Sequence, residues 1–186
     1  MELILVRHPA PTAAPAICYG SSDLPADPAA LAACVAEVHA TLLPELLRTA
    51  PIYTSPLQRC LALAAQLAAA PGRSAAAIPD ARLAELHFGA WELRAWDDVP
   101  RAEVDAWAAD LLNYRPGGGE SVLDAARRVQ AFLQAVDGNA IVVCHAGTIR
   151  LLQALAGGAP LHEAALQAAA KPHAIAYGSI HRVIIE

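Results

Sequence analysis

The chain has little of what usually narrows a function quickly. Aromatic residues make up 5% of it and charged residues 17%. No run approaches the ~20 uninterrupted apolar residues that a membrane-spanning helix needs. Met1-Glu2-Leu3 lacks a basic n-region, and the apolar run behind it is too short for the core of a signal peptide. A cytoplasmic protein with no membrane partner is expected. Positive charge is not in excess either, since the formal net charge is −5. Binding a nucleic-acid backbone requires a basic face, so nucleic acid is not expected as a partner. Cys18, Cys34, Cys60 and Cys144 form no CxxC pair. That removes zinc-site and redox-motif spacings and leaves free, buried thiols as the expected state. No GxSxG elbow, GxxxxGK phosphate loop or metal-ligand spacing occurs.

What is present is 186 residues, 56% hydrophobic and rich in alanine. Such a chain fits one domain, residues 1–186, able to bury about 70% of the surface its unfolded form exposes. The chain is organised around Leu3-Ile4-Leu5-Val6-Arg7-His8-Pro9. The apolar tetrapeptide has strand length, and Pro9 cannot donate to a ladder, so Arg7 and His8 sit at the strand's carboxyl end. In open α/β sheets, ligands bind beyond that end.

From Ala10 to Pro28 the chain is too broken by proline for a helix and long enough to suggest a functional loop. Within it, Cys18-Tyr19-Gly20-Ser21-Ser22-Asp23 offers an aromatic face and hydrogen-bonding groups for a substrate, or turn chemistry around Gly20. Asp27-Pro28 reads as a helix N-cap followed by proline at the first helical position. Leu31, Val35, Val38, Leu42 and Leu46 then mark an amphipathic helix to about Arg48, kinked or divided at Pro44. Pro51 to Pro56 reads as a second strand delivering Ser55 at its end. The next helix, Leu57 to Ala70, carries Arg59 near its start, where an anion is favoured.

Ala75 to Ile78 is a weak third strand. Leu83 to Glu92 has no clean period, and its Glu85, set among Leu, Phe and Trp, is a candidate proton donor. Pro100 to about Leu112 is helical with Asp98 as a plausible cap. Arg115-Pro116-Gly117-Gly118-Gly119-Glu120-Ser121 breaks the chain strongly and opens a helix to Val136. Ala140 to Thr148 repeats the opening logic: an apolar strand, a histidine (His145) at its end, and a small-residue turn, Ala146-Gly147, into a helix from Ile149 to Ala156. The tail from His173 to Ile185 alternates and suggests one or two edge strands. Strands alternating with helices indicate a three-layer α/β/α fold with a mostly parallel sheet.

Arg7, Arg59, His8, His145 and Glu85 together specify an anion and a proton donor. With the common nucleophile motifs absent, the nucleophile falls within this set, and His8 is the natural choice. Arginine forks match phosphoryl oxygens.

On these residues the chain resembles the histidine phosphatase superfamily, the phosphoglycerate mutase-like fold. Val6-Arg7-His8-Pro9 is similar to its Arg-His-Gly opening. Thr54-Ser55-Pro56-Leu57-Gln58-Arg59 matches its second block, and Leu83 to Glu92 its third. Pro116 to Ser121 matches its Pro-Gly-Gly-Glu-Ser block with one extra glycine, and Val143-Cys144-His145-Ala146-Gly147 its last. The resemblance implies a phosphohistidine on His8, with Arg7, Arg59 and His145 holding the phosphoryl oxygens. Glu85 would protonate the leaving oxygen and then activate water. Tyr19, Gly20, Ser55, Ala146 and Gly147 would contribute to substrate binding. No cofactor and no metal is implied, and the partner would be a small phosphomonoester.

Within the superfamily, Arg-His-Pro followed by Cys18-Tyr19-Gly20-x-x-Asp23 is most similar to bacterial α-ribazole phosphatase-like members. The implied substrate is then α-ribazole 5′-phosphate, from assembly of the cobalamin nucleotide loop, with Tyr19 near its base. The alternatives are other small phosphomonoesters, protein phosphohistidine, a phosphoglycerate mutase-type transfer, and a phosphate-ligand binding protein without catalysis. Four departures stand out. Pro9 replaces glycine, Ala14 an asparagine that contacts phosphate, Leu63 a threonine, and Leu93 the glycine of Trp-Glu-Gly. The other histidines, His39, His87, His162, His173 and His181, read as surface or packing residues, with His87 the one to watch beside Glu85. Trp91, Trp96 and Trp107 read as packing residues.

Overall fold

In a computed structural model, residues 1–14, 16–170 and 174–185 are described. The opening apolar run forms strand β1, Glu2–Arg7, and helices α1 (Pro28–Thr41) and α2 (Pro44–Thr49) follow the long loop. Next come β2 (Ile52–Thr54), α3 (Gln58–Ala68), β3 (Ile78–Pro79), α4 (Arg101–Ala109) and α5 (Val122–Ala135). The chain continues with β4 (Ala140–Cys144), α6 (Ala146–Ala156), α7 (Leu161–Ala170) and β5 (Ile180–Ile184).

Local chemistry explains most of these boundaries. The Asp27 carboxylate accepts from the Ala30 N–H at 2.8 Å and caps α1, with Pro28 in the first turn. Pro44 divides α1 from α2 rather than kinking one helix, and Ser121 caps α5 by accepting from the Asp124 N–H at 3.2 Å. The expected Asp98 cap is not formed. Val99, which precedes Pro100, is extended (φ −78°, ψ 128°), so α4 begins only after Pro100 and ends at Ala109, short of Leu112. The weak third strand shrinks to Ile78–Pro79, and α6 starts at Ala146, directly after His145. α7 has no counterpart among the expected elements. Its buried face is Ala164, Ala165 and Ala168, which gives little periodic contrast. His173, where the alternating tail was expected to begin, lies outside the described residues.

The sheet order is β3-β2-β4-β1-β5, parallel except for β5, which pairs antiparallel with β1. Successive residues of β1 feed opposite faces. Leu3 and Leu5 join Val142 and Phe132 in a core with α5–α7, while Ile4 and Val6 join Ile141, Val143 and Leu63 in a core with α1–α3. Central parallel strands covered on both faces read as continuous apolar runs, which β1 and β4 do. The three-layer α/β/α reading therefore holds.

A smaller cluster, centred on Cys18, Trp91 and Val99 with Phe88 and Trp107 against it, builds a wall separate from the two main cores. The glycine segment packs there backbone to backbone. A Cβ on Gly89 would stand 2.1 Å from the Gly117 carbonyl oxygen, and one on Gly119 would stand 2.1 Å from that of His87. Gly118 meets nothing within 4 Å, so the extra glycine of this block is accommodated where the loop bulges into open space. Leu93 adopts φ +63°, the left-handed conformation that glycine takes without a Cβ penalty. Its side chain is 57% exposed and adds little packing. Leu93→Gly is expected to raise stability by about 0.5–1 kcal/mol, the relieved strain exceeding the added chain entropy. Urea denaturation measures this, and a loss of stability contradicts the reading of strain at Leu93.

Candidate active site

The parallel register places the strand ends side by side. Arg7 pairs with Cys144 and Thr54 with Val143, so His8, His145 and Ser55 emerge at the same edge of the sheet. After β1 the chain leads to α1 on one face, and after β4 it leads to α6 on the other. The ends of β1 and β4 thus flank a point where the connections diverge, the place where such sheets form a crevice. The His8 and His145 rings meet there with centroids 4.9 Å apart.

His8 is buried, its N–H donates to the Cys144 carbonyl at 3.0 Å, and its Nδ1 lies 2.7 Å from the Pro9 carbonyl oxygen. A carbonyl only accepts, so Nδ1 carries the hydrogen and Nε2 of the neutral ring keeps its lone pair. Burial, reinforced by the nearby Arg59 and Arg7 charges, pushes the His8 pKa down to about 3, against the smaller upward pull of Pro9. His145 is likewise held well below the ordinary imidazole range, first by burial and then by His8 and Arg59. Both rings are neutral at pH 7. His145 Nε2 lies 2.7 Å from Ser55 Oγ and 3.5 Å from Cys60 Sγ, so Ser55 fixes His145.

The two guanidiniums lie beside these rings. Arg7 donates from Nη1 to the Ile175 carbonyl, and its guanidinium sits 3.8 Å from the centroid of the Tyr177 ring. Arg59 is 0% exposed although it stands one residue into a helix. Its Nη1 and Nη2 donate to the carbonyls of Ser22 and Gly20 at 2.7 and 2.6 Å. The Nε of each arginine is buried without a hydrogen-bond partner. Buried donors of this kind call for an acceptor, and those of a cation favour an anion.

The loop that grips Arg59 is itself gripped by Glu92. That carboxylate accepts from the N–H groups of Gly20 (3.0 Å), Ser21 (3.0 Å), Ser22 (3.1 Å) and Phe88 (2.9 Å), and from the hydroxyls of Ser21 and Ser22. Burial alone would raise its pKa, but these donors outweigh it and hold the carboxyl below the usual range. Gly20 is required because a Cβ there would stand 1.9 Å from the Leu86 carbonyl oxygen.

A cavity of about 680 Å³ opens over the histidines. Arg7, His8, Arg59, Glu85 and His145 line it, with Ala146 and Gly147 at the start of α6. The Gly147 N–H donates to Glu85 Oε2 at 3.0 Å and the Leu86 N–H to Oε1 at 3.1 Å. A Cβ on Gly147 would stand 2.4 Å from Oε1, so this glycine makes room for the carboxylate. Leu86, Phe88, Trp96, Trp107 and Leu151 also line it. All three tryptophans pack together with Phe88, as expected, and Trp96 and Trp107 also form part of the cavity wall, while Trp91 is wholly buried.

Tyr19 also lines the cavity, and its hydroxyl meets that of Tyr177. Ser55 and Gly20 act one layer back, on His145 and Arg59. His39 and His162 lie exposed on α1 and α7, His181 bonds Ser179, and His87 is exposed and lines a shallower basin together with Glu85. Tyr177 was not legible, since it stands in no motif. Glu92 stood in one, but five of its six donors come from Gly20–Ser22, far ahead of it in the chain. Among the described residues, no group of three or more His, Cys, Asp or Glu is placed to hold a metal ion, and no helix is long and apolar enough to cross a membrane. The described cysteines are free and buried.

The sequence matches the model of the histidine phosphatase superfamily (branch 1) over residues 3–177. The chain belongs to this superfamily. A 78-residue stretch, 38% of the chain, is 33% identical to the adenosylcobalamin/α-ribazole phosphatase of Salmonella typhimurium and spans 39% of that relative's length. Among solved structures, the α-ribazole phosphatase of Shigella flexneri superposes with a TM-score of 0.82 at 22% identity, over 100% of this chain and 91% of that one. A mycobacterial glucosyl-3-phosphoglycerate phosphatase gives 0.75 at 24%, over 97% and 88%. At these identities the two structures share the histidine phosphatase fold with this chain.

The neutral histidines make stability depend on pH. The unfolded chain protonates His8 below about 6.5 and the folded chain only near 3, so stability is complete above 6.5 and is lost as the pH falls toward 3. Between pH 7.5 and 5.5 His8 alone costs about 1 kcal/mol. Carboxylates such as Glu92 act only at lower pH. In urea unfolding at the two pH values, the parent should lose about 1 kcal/mol more than His8→Gln. Equal losses contradict a buried neutral His8.

Proposed function

We propose that this chain is a phosphomonoester hydrolase working through a phosphohistidine on His8. The observation that carries this reading is the meeting of His8 and His145 between two buried arginines, with Glu85 lining the same cavity. In the first step His8 Nε2 attacks phosphorus as the bond to the leaving oxygen breaks, and Glu85 gives that oxygen its proton. In the second, Glu85 takes a proton from water as the water oxygen attacks phosphorus. The P–N bond breaks, and inorganic phosphate leaves a neutral His8. Arg7, Arg59 and His145 hold the equatorial oxygens throughout. Two guanidinium charges match a phosphate dianion, and their field keeps the attacking imidazole unprotonated. A bound dianion reverses the sign of that field at His145 and so favours a donating ring.

The substrate reading is α-ribazole 5′-phosphate. A cavity of about 680 Å³ whose wall includes the mutually packed rings of Phe88, Trp96 and Trp107 suits a phosphate joined to a flat heteroaromatic group. The Salmonella relative's name supports the same class.

Two measurements test this reading. Across a substrate panel, kcat/KM for α-ribazole 5′-phosphate should exceed that for p-nitrophenyl phosphate and 3-phosphoglycerate by about 100-fold, which is ~2.7 kcal/mol of discrimination. A flat profile rejects the substrate and leaves the chemistry standing. His8→Ala should keep the fold and lower kcat by more than about 10³-fold, and the parent should yield an acid-labile, base-stable phosphoenzyme from a radiolabelled monoester. Parental turnover by His8→Ala rejects the nucleophile. Ligand binding without any phosphoenzyme favours a non-catalytic binding protein.

A further inference from the structure

Glu85 is carried by a segment that belongs to no strand or α-helix. Between β3 and α4 the chain makes only short 3₁₀ turns, the first at Ala81–Leu83, yet its peptide groups are held from outside. Arg128, on α5, donates from Nη1 to the carbonyls of Arg82 and Ala84 at 2.8 and 2.7 Å. Its Nε and Nη2 form a two-pronged pair with Glu120 Oε1 and Oε2 at 2.7 and 2.9 Å. Glu120 in turn donates its own N–H to the His87 carbonyl at 2.7 Å. The pair therefore grips the backbone on both sides of Glu85, one residue before it and two after. Thr148 adds a bond from Oγ1 to the Ala84 carbonyl at 3.0 Å.

We propose that the Arg128–Glu120 pair is a positioning device for the proton donor, fixing the Glu85 carboxyl at the leaving oxygen. This rests on the reading of Glu85 as general acid. Arg128 lines the cavity, but its contacts with Glu120, Arg82 and Ala84 engage four of the five N–H donors a guanidinium has. It therefore has little left to offer a substrate, and it acts through the backbone of residues 82–84. Lysine would keep the charge but lacks the planar fork that reaches Glu120 and two carbonyls together.

The test uses leaving groups. Protonating the leaving oxygen matters for a poor leaving group and hardly at all for a good one, so kcat/KM is compared from an alkyl phosphate through aryl phosphates to 2,4-dinitrophenyl phosphate. Glu85→Gln should lose about 10²-fold or more on the alkyl ester and little on the dinitrophenyl ester. Arg128→Lys and Glu120→Gln should show the same gradient, about 10-fold falling to about 2-fold, with inhibition by inorganic phosphate unchanged. On the alkyl ester, Glu85→Gln/Arg128→Lys should be no slower than Glu85→Gln alone, because one residue works through the other.

A graded Glu85→Gln with a uniform loss in Arg128→Lys, or additive losses in the double variant, overturns the positioning role and leaves the general acid intact. Weakened inhibition by phosphate in Arg128→Lys overturns it in favour of a direct substrate contact. A flat Glu85→Gln profile removes the general acid, and the positioning role falls with it.

Discussion

The site depends on the register between β1 and β4. Both strands are apolar on both faces, so burial alone sets their register weakly. Their polar ends set it instead. At one end the Glu2 N–H donates to Oδ1 of Asn139, just ahead of β4, while the Glu2 carboxylate pairs with Arg182 on the other neighbour, β5. At the other, the His8 N–H reaches the Cys144 carbonyl of β4, while the Arg7 N–H on the opposite side reaches the Ser179 carbonyl just before β5. A slip by one residue would draw the Arg7 guanidinium into an aliphatic core or carry His8 away from His145. Two strands that each run Val-x-His or Val-Arg-His therefore deliver their imidazoles to one point.

Around that point the charges are arranged in layers. Two buried guanidiniums and the surrounding apolar wall keep both imidazoles neutral, which leaves a cationic pocket with a lone pair at its centre. The arginines are oriented by backbone carbonyls rather than by carboxylates, Arg7 by Ile175 and Arg59 by Gly20 and Ser22. Their charge therefore stays available to a ligand. The compensating carboxylates stand one step out. Glu92 organises the Gly20–Ser22 loop through its N–H groups and hydroxyls, so the same short loop is clamped by an anion on its donor side and by Arg59 on its acceptor side. Glu85 is placed by the Gly147 N–H at the head of α6, where a carboxylate is favoured by the helix dipole.

How much of this was legible in the sequence follows from the length scale of each interaction. Strand ends are local: a short apolar run followed by Arg-His or Cys-His shows itself, and so do Asp27-Pro28 and Ser121 as caps. The recurrence of the pattern at His8 and His145 pointed to one crevice, and the residues named from it do converge there. Arg59 as a buried residue was not deducible from α3 alone, because its burial is created by a loop 37 residues earlier. Tyr177 and Arg128 stand in no motif and meet Tyr19 and the Arg82 and Ala84 carbonyls from far away in the chain, and Glu92, although it ends a family block, finds most of its donors in the distant Gly20–Ser22 loop. Asp98 failed as a cap because the Val99-Pro100 pair forces an extended residue between it and the helix, a steric constraint that outweighs capping preference. α7 escaped notice because alanine supplies its buried face. Two of the four departures from the family pattern have a visible structural setting, Leu63 in the core and Leu93 in a glycine's conformation, while nothing in the structure explains Pro9 or Ala14.

The central claim is that His8 stands ready as a neutral imidazole, with Nδ1–H bound to the Pro9 carbonyl and Nε2 free to attack. Long-range ¹H–¹⁵N NMR of the imidazole nitrogens, assigned by comparison with His8→Gln, tests this most directly over the range of about pH 5 to 8 in which ordinary histidines titrate. The account predicts a single Nδ1–H tautomer for His8, unchanged across that range. An Nε2–H tautomer, or a midpoint near 6.5, would contradict it.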